Sequence, residues 1–109
     1  MMDLRLYLLQ RISALVMLPL VLGHLGMMIY AIQGGLSAEE ILSRTRGSAF
    51  WAGYYGLFVV AVSIHGAIGV RTILFEWVGF KKQALTLGFW VVLIGLLGPG
   101  LIAVWAVTV

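Results

Sequence analysis

The sequence contains no cysteine. Thiolate metal ligands, iron–sulfur ligation and disulfides are therefore excluded from this chain's own residues. Charge is nearly as scarce: Asp, Glu, Lys and Arg make up 10% of 109 residues, and only four of them are acidic. A soluble domain uses charge far more freely. Proline occurs twice, at Pro19 and Pro99.

What fills the chain is apolar. Hydrophobic residues account for 62%, and the mean hydropathy is +1.09. Three uncharged runs, Ile12–Ala38, Gly47–Val70 and Gln83–Val109, each exceed the roughly 20 residues that cross a hydrocarbon core. The fold class expected is an all-α integral membrane protein, a single membrane-anchor domain over residues 1–109. Its three transmembrane helices are predicted over about 8–33, 49–77 and 83–107. The loops between them are too short to build a catalytic domain in water. Met1–Arg11 resembles the positive head of a signal peptide, but the apolar run behind it is too long, and it is read as a retained first span.

The net charge of +3 needs no nucleic acid to explain it. Arg5, Arg11, Arg71, Lys81 and Lys82 sit before the first run and around the second loop, whereas Arg44 and Arg46 in the first loop are offset by Glu39 and Glu40. The positive-inside rule then predicts a cytoplasmic N-terminus and second loop, with the first loop and C-terminus periplasmic.

Within the first span Pro19 is expected to free the Leu15 carbonyl and kink the helix. The span should end at Gln33-Gly34-Gly35. Ser37-Ala38-Glu39-Glu40 has capping-box spacing and predicts a short interfacial helix over about 37–44. Gly95, Gly98, Pro99 and Gly100 should loosen the middle of the third span. Phe50, Trp51, Tyr54 and Tyr55 at one end of the second span, and Phe75, Trp77 and Phe80 at the other, suit membrane interfaces. Small residues from Ala52 to Gly69 make the second span the expected central packing element, with partner chains around it.

Two histidines occur, His24 and His65, both inside spans. An ionisable side chain within the bilayer is costly and marks a candidate functional site; the plainer reading of each is a neutral imidazole bonded across helices. Gly69 lies one turn beyond His65 on the same face, leaving room for a flat ring. Imidazole is a common axial ligand of haem iron, and Arg71 and Arg11 are cations suited to its propionates. Counted at 100° per residue, Glu76 falls within about 20° of His65 and roughly 16 Å further along the helix. Met17, Met27 and Met28 are read as gap fillers rather than iron ligands.

The run from His65 has glycine four residues on (Gly69), arginine six on (Arg71), an acid eleven on (Glu76) and an aromatic directly after (Trp77). It resembles the second helix of the succinate dehydrogenase/fumarate reductase hydrophobic membrane anchor family, of the cytochrome b anchor type. Gln10-Arg11-Ile12-Ser13-Ala14 resembles that family's first helix, and the likeness covers nearly the whole chain. The resemblance implies a membrane anchor subunit of a succinate:quinone oxidoreductase (complex II) or a quinol:fumarate reductase, in the electron transport of the tricarboxylic acid cycle. The chain itself would have no succinate-oxidising site. It further implies haem b with His65 as axial ligand to the iron, near Arg11, Arg71 and Gly69. A quinone, ubiquinone or menaquinone, would sit near Glu76, Trp77, Arg11 and Ser13. The implied partners are a second membrane anchor (cytochrome b) subunit, an iron–sulfur subunit and a flavoprotein, in a bacterial cytoplasmic (inner) membrane. Where the family has an Asp-Tyr pair, this chain has Glu76-Trp77, and tryptophan donates one N–H but does not titrate as tyrosine does.

His24 departs from single-haem members of the family and matches two-haem members, in which the first two helices each supply one ligand to a different haem. Depths counted from the helix ends place His24 and His65 roughly 8 Å apart along the membrane normal, which favours separate irons, each completed by a partner subunit. Gly23 and Gly26 beside His24 are expected to admit a ring. The alternatives are a small non-redox transporter or pore that binds ions through Glu76, Arg71 and the histidines, and a purely structural anchor of a related complex that has lost its haem.

Overall fold

The structure, a computed structural model, describes residues 4–109; the first three residues of the Met1–Arg11 head lie outside that range. Three helices are long and apolar enough to cross a membrane: α1 (Leu4–Gly34), α3 (Ala49–Ile73) and α4 (Lys82–Thr108). A short helix, α2 (Ala38–Thr45), joins α1 to α3. A π-helical turn, Leu74–Val78, continues α3. The molecule measures 48 × 22 × 22 Å, long enough to reach through the ~40–45 Å of a bilayer with its headgroup layers.

Helix is what lipid demands, because a spanning segment must bond every backbone polar group internally. That pressure carries α1 through Pro19 and α4 through Pro99 without a break. Neither the kink expected at Pro19 nor the loosening expected around Pro99 ends a helix, since a proline removes a single N–H while the turns on either side stay bonded.

The connections follow local chemistry. At α2 the Ser37 hydroxyl accepts from the Glu40 N–H at 3.1 Å and donates to the Glu40 carboxylate at 3.0 Å. Gly35 and Gly47 take the positive φ values of +125° and +74° that turn the chain on either side of it. Ser48 caps α3, its hydroxyl accepting from the Trp51 N–H at 3.2 Å. Gly79, at φ +78°, closes the π turn, its N–H donating to the Leu74 carbonyl at 2.9 Å. Thr45 Oγ1 donates to the Val107 carbonyl at 2.7 Å, and the Gly47 N–H donates to the Thr108 carbonyl at 2.7 Å. The α2–α3 joint is thereby tied to the last turn of α4.

Helix α3 packs against both α1 and α4, which scarcely meet each other. Small residues allow this. Ala67 and Ile68 are fully buried, and Gly66 lies against Leu96 of α4. The interior includes Ser13, Ser63, Thr45 and Thr108, while large apolar residues such as Leu15, Leu22, Val91 and Ile102 point outward. The buried hydroxyls of Ser13, Ser63 and Thr108 donate within their own helices, as where Ser63 donates to the Val59 carbonyl at 2.7 Å, whereas that of Thr45 crosses to α4. An apolar exterior around a small-residue interior is the pattern of helices packed in lipid and against other membrane chains.

Candidate functional site

His65 lies half-buried on the α1 side of α3. Its Nδ1 is 3.3 Å from the hydroxyl of Ser13, a buried residue of α1 whose Oγ donates to the Gln10 carbonyl at 3.0 Å. Nε2 has no partner among the described residues. Gly69, one turn on, faces the side-chain amide of Gln10: a Cβ there would lie 3.7 Å from Gln10 Nε2. The other end of that amide, Gln10 Oε1, is buried without a hydrogen-bond partner. Gln10, Ser13, His65 and Gly69 thus form one polar cluster between α1 and α3. In the sequence Gln10 stands out only as part of a motif. Its place one helical turn before Ser13 is the signal that could have found it.

Arg11 is exposed, with its guanidinium 5.7 Å from the centre of the Tyr7 ring. Arg71 is half-buried near the end of α3. Both lie on the same side of the His65 level, toward the end of the bundle that carries Leu4 and Gly79. Glu76 and Trp77 are exposed, Trp77 at 83%. They sit on the π turn, where each residue advances less around the axis than in an α-helix. Glu76 therefore lags behind the alignment with His65 that a continuous α-helix predicts. Ser13, expected beside a quinone, is turned inward against His65.

His24 occupies a different region. Its ring meets Phe58 and Tyr55 edge-on, with centroids at 5.5 and 6.2 Å. Two clefts meet at this imidazole. One, of about 500 Å³, is lined by Phe58, Val62, Leu96 and Val104 among others; the second, of about 460 Å³, includes Met27, Met28 and Arg44. Arg44 is held over the Tyr30 ring at 5.0 Å and donates to the Gly35 carbonyl at 3.4 Å. Gly23 does not open space beside His24, because the Tyr54 hydroxyl occupies the position a Cβ would take; Gly26 meets nothing. Among the described residues no three His, Cys, Asp or Glu side chains gather as a metal site.

The levels of the two histidines follow from these contacts. Ser13 is level with His65, and His24 is eleven residues further along α1. Measured along α1 or back along α3 to Phe58 and Tyr55, the imidazoles are separated by roughly 10 to 16 Å. The separation exceeds the 8 Å expected because the helix ends are not level. With Leu20 bonded to Tyr54, α1 continues well past the point where α3 begins.

Compared with known families, residues 2–105 match the model of the succinate dehydrogenase/fumarate reductase transmembrane subunit. No curated protein and no solved structure matches the chain.

Proposed function

The chain belongs to the succinate dehydrogenase/fumarate reductase transmembrane subunit family, and on that footing we propose that it ligates haem b through His65 and helps to form a quinone site. It is a multi-pass membrane subunit and carries no catalytic centre of its own. Succinate or fumarate chemistry belongs to the proposed flavoprotein and iron–sulfur partners, beside a second anchor subunit, in a bacterial inner membrane with the N-terminus cytoplasmic. The transporter or pore reading has no comparison in its favour.

The observation that carries the haem assignment is His65 itself, an imidazole inside a span, held by one ring nitrogen and leaving the other unengaged. A donor set of one imidazole, with no second ligand beside it among the described residues, fits a haem shared with a partner subunit. When bound, the haem takes up and releases one electron at a time. Arg11 and Arg71, displaced from His65 toward the Leu4 end, are suited to hold its propionates there. Gly69, one turn on, adds no side chain of its own beside the ring, and the Gln10 amide packs over it.

The quinone is proposed near the same end. Glu76 is positioned to deliver protons to a carbonyl oxygen, Trp77 to donate its indole N–H, and Arg11 to bond a quinone oxygen. His24 is proposed as ligand to a second haem. Its separation from His65 suits two irons, and Arg44 in the adjoining cleft is a cation available to a second pair of propionates.

The test is haem content and reduced-minus-oxidised absorption of the assembled complex. Wild type is expected to show the sharp reduced bands of bis-histidine haem, and a complex without them would remove the proposal.

A further inference from the structure

We propose that Ser13 is the positioning residue for His65, fixing which ring nitrogen carries the proton and turning the bare nitrogen outward for iron. The inference rests on the haem reading for its consequence but not for its geometry. A serine hydroxyl has one proton and two lone pairs. Ser13 gives its proton to the Gln10 carbonyl at 3.0 Å, a bond within one turn of α1. Toward His65 it therefore presents a lone pair, and the 3.3 Å contact is an Nδ1–H donating to Oγ. Neutral imidazole has a single ring proton, so a proton on Nδ1 leaves Nε2 as the lone-pair nitrogen.

Burial makes the arrangement selective. Ser13 is 6% exposed, so water does not compete for its oxygen. In water a histidine more often carries the proton on the other nitrogen; here the α1 hydroxyl selects the tautomer that a metal requires. The same bond has an electronic effect. An acceptor on the far N–H makes a ligating imidazole more basic, which favours the more positively charged oxidised iron and lowers its potential. Ser13 thereby acts through His65, without touching iron or quinone.

Two measurements test this. The first needs no haem: the full chain carrying His24→Ala, so that His65 is its only histidine, is labelled with ¹⁵N-histidine and its tautomer is read by NMR in detergent micelles. The proton is expected on Nδ1, moving to Nε2 when Ser13→Ala is added. The second is a redox titration of the assembled complex. Ser13→Ala is expected to shift the haem potential positive, with Ser13→Thr, which restores a hydroxyl, returning it to the wild-type value. An Nε2 proton with Ser13 intact, or an unchanged or negative shift in Ser13→Ala, would overturn the proposal. Retention of haem in His65→Ala would instead defeat the haem reading, and the NMR result would still decide the role of Ser13.

Discussion

The Tyr54 hydroxyl donates a 2.6 Å hydrogen bond to the backbone carbonyl of Leu20, joining α3 to α1 in the space left by the absent side chain of Gly23. Gly23→Ala would drive a methyl into that hydroxyl. Overpacking of this kind costs about 1–3 kcal/mol, and thermal unfolding of the solubilised complex is expected to shift down accordingly. Tyr54→Phe alone should cost about 0.6 kcal/mol, typical of an interhelical bond in a membrane, and combined with Gly23→Ala it should recover part of the loss. The double variant falling by the full sum of the two single losses would contradict this packing.

Gly100 on α4 and Gly26 on α1 form an internal comparison. A Cβ at Gly100 would meet Val59, while one at Gly26 meets nothing. Gly100→Ala is expected to lower the yield of assembled complex, because branched Val59 has little freedom to move aside. At Gly26, alanine should leave the fold of this chain intact, as judged by the same purification.

Thr45→Val removes the hydroxyl that donates to Val107 and leaves that carbonyl with one bond fewer. A loss of about 0.6 kcal/mol and no more than about 1.7 is expected. Faster proteolysis at the α2–α3 joint would reveal it.

For His24→Ala the expected outcome is a complex that loses one haem and keeps the one at His65. Loss of both, or of neither, would contradict the assignment of the two imidazoles to separate irons.

Replacing Glu76 with glutamine keeps the shape and removes the titratable proton. Quinone turnover is expected to slow while haem content holds. Normal turnover would dispose of the proton-delivery role.

The three spans are legible in the sequence because lipid imposes a simple rule: uncharged runs longer than the bilayer core become helices. Ser37 and Gly35 are legible for a similar reason, since caps and turns are set within a few residues. The π turn is not. It depends on bonds from the Gly79 and Phe80 N–H groups back to the Leu74 carbonyl, and nothing in the spacing of Leu74–Val78 distinguishes them from an α-helical turn. Its consequence falls on Glu76, whose expected alignment with His65 assumes an unbroken α-helix.

The candidate site divides in the same way. His65 and His24 stand out in one dimension because charge-capable side chains are rare inside apolar runs. That Ser13 faces His65 depends on the sliding register of α1 against α3 across fifty-two positions of sequence. That register is set by the Tyr54–Leu20 contact and by small residues whose packing leaves no periodic signature. For the same reason the sequence understates the vertical separation of the histidines, and Gly23 reads as space for a ring when Tyr54 fills it.

The central claim is that the imidazole at position 65 holds haem iron from inside the membrane. The most direct measurement is haem per assembled complex in His65→Ala, quantified after confirming by subunit stoichiometry that the complex still forms. The haem at this site is expected to be lost, together with its share of the reduced absorption bands; a complex retaining its full complement of haem would contradict the claim.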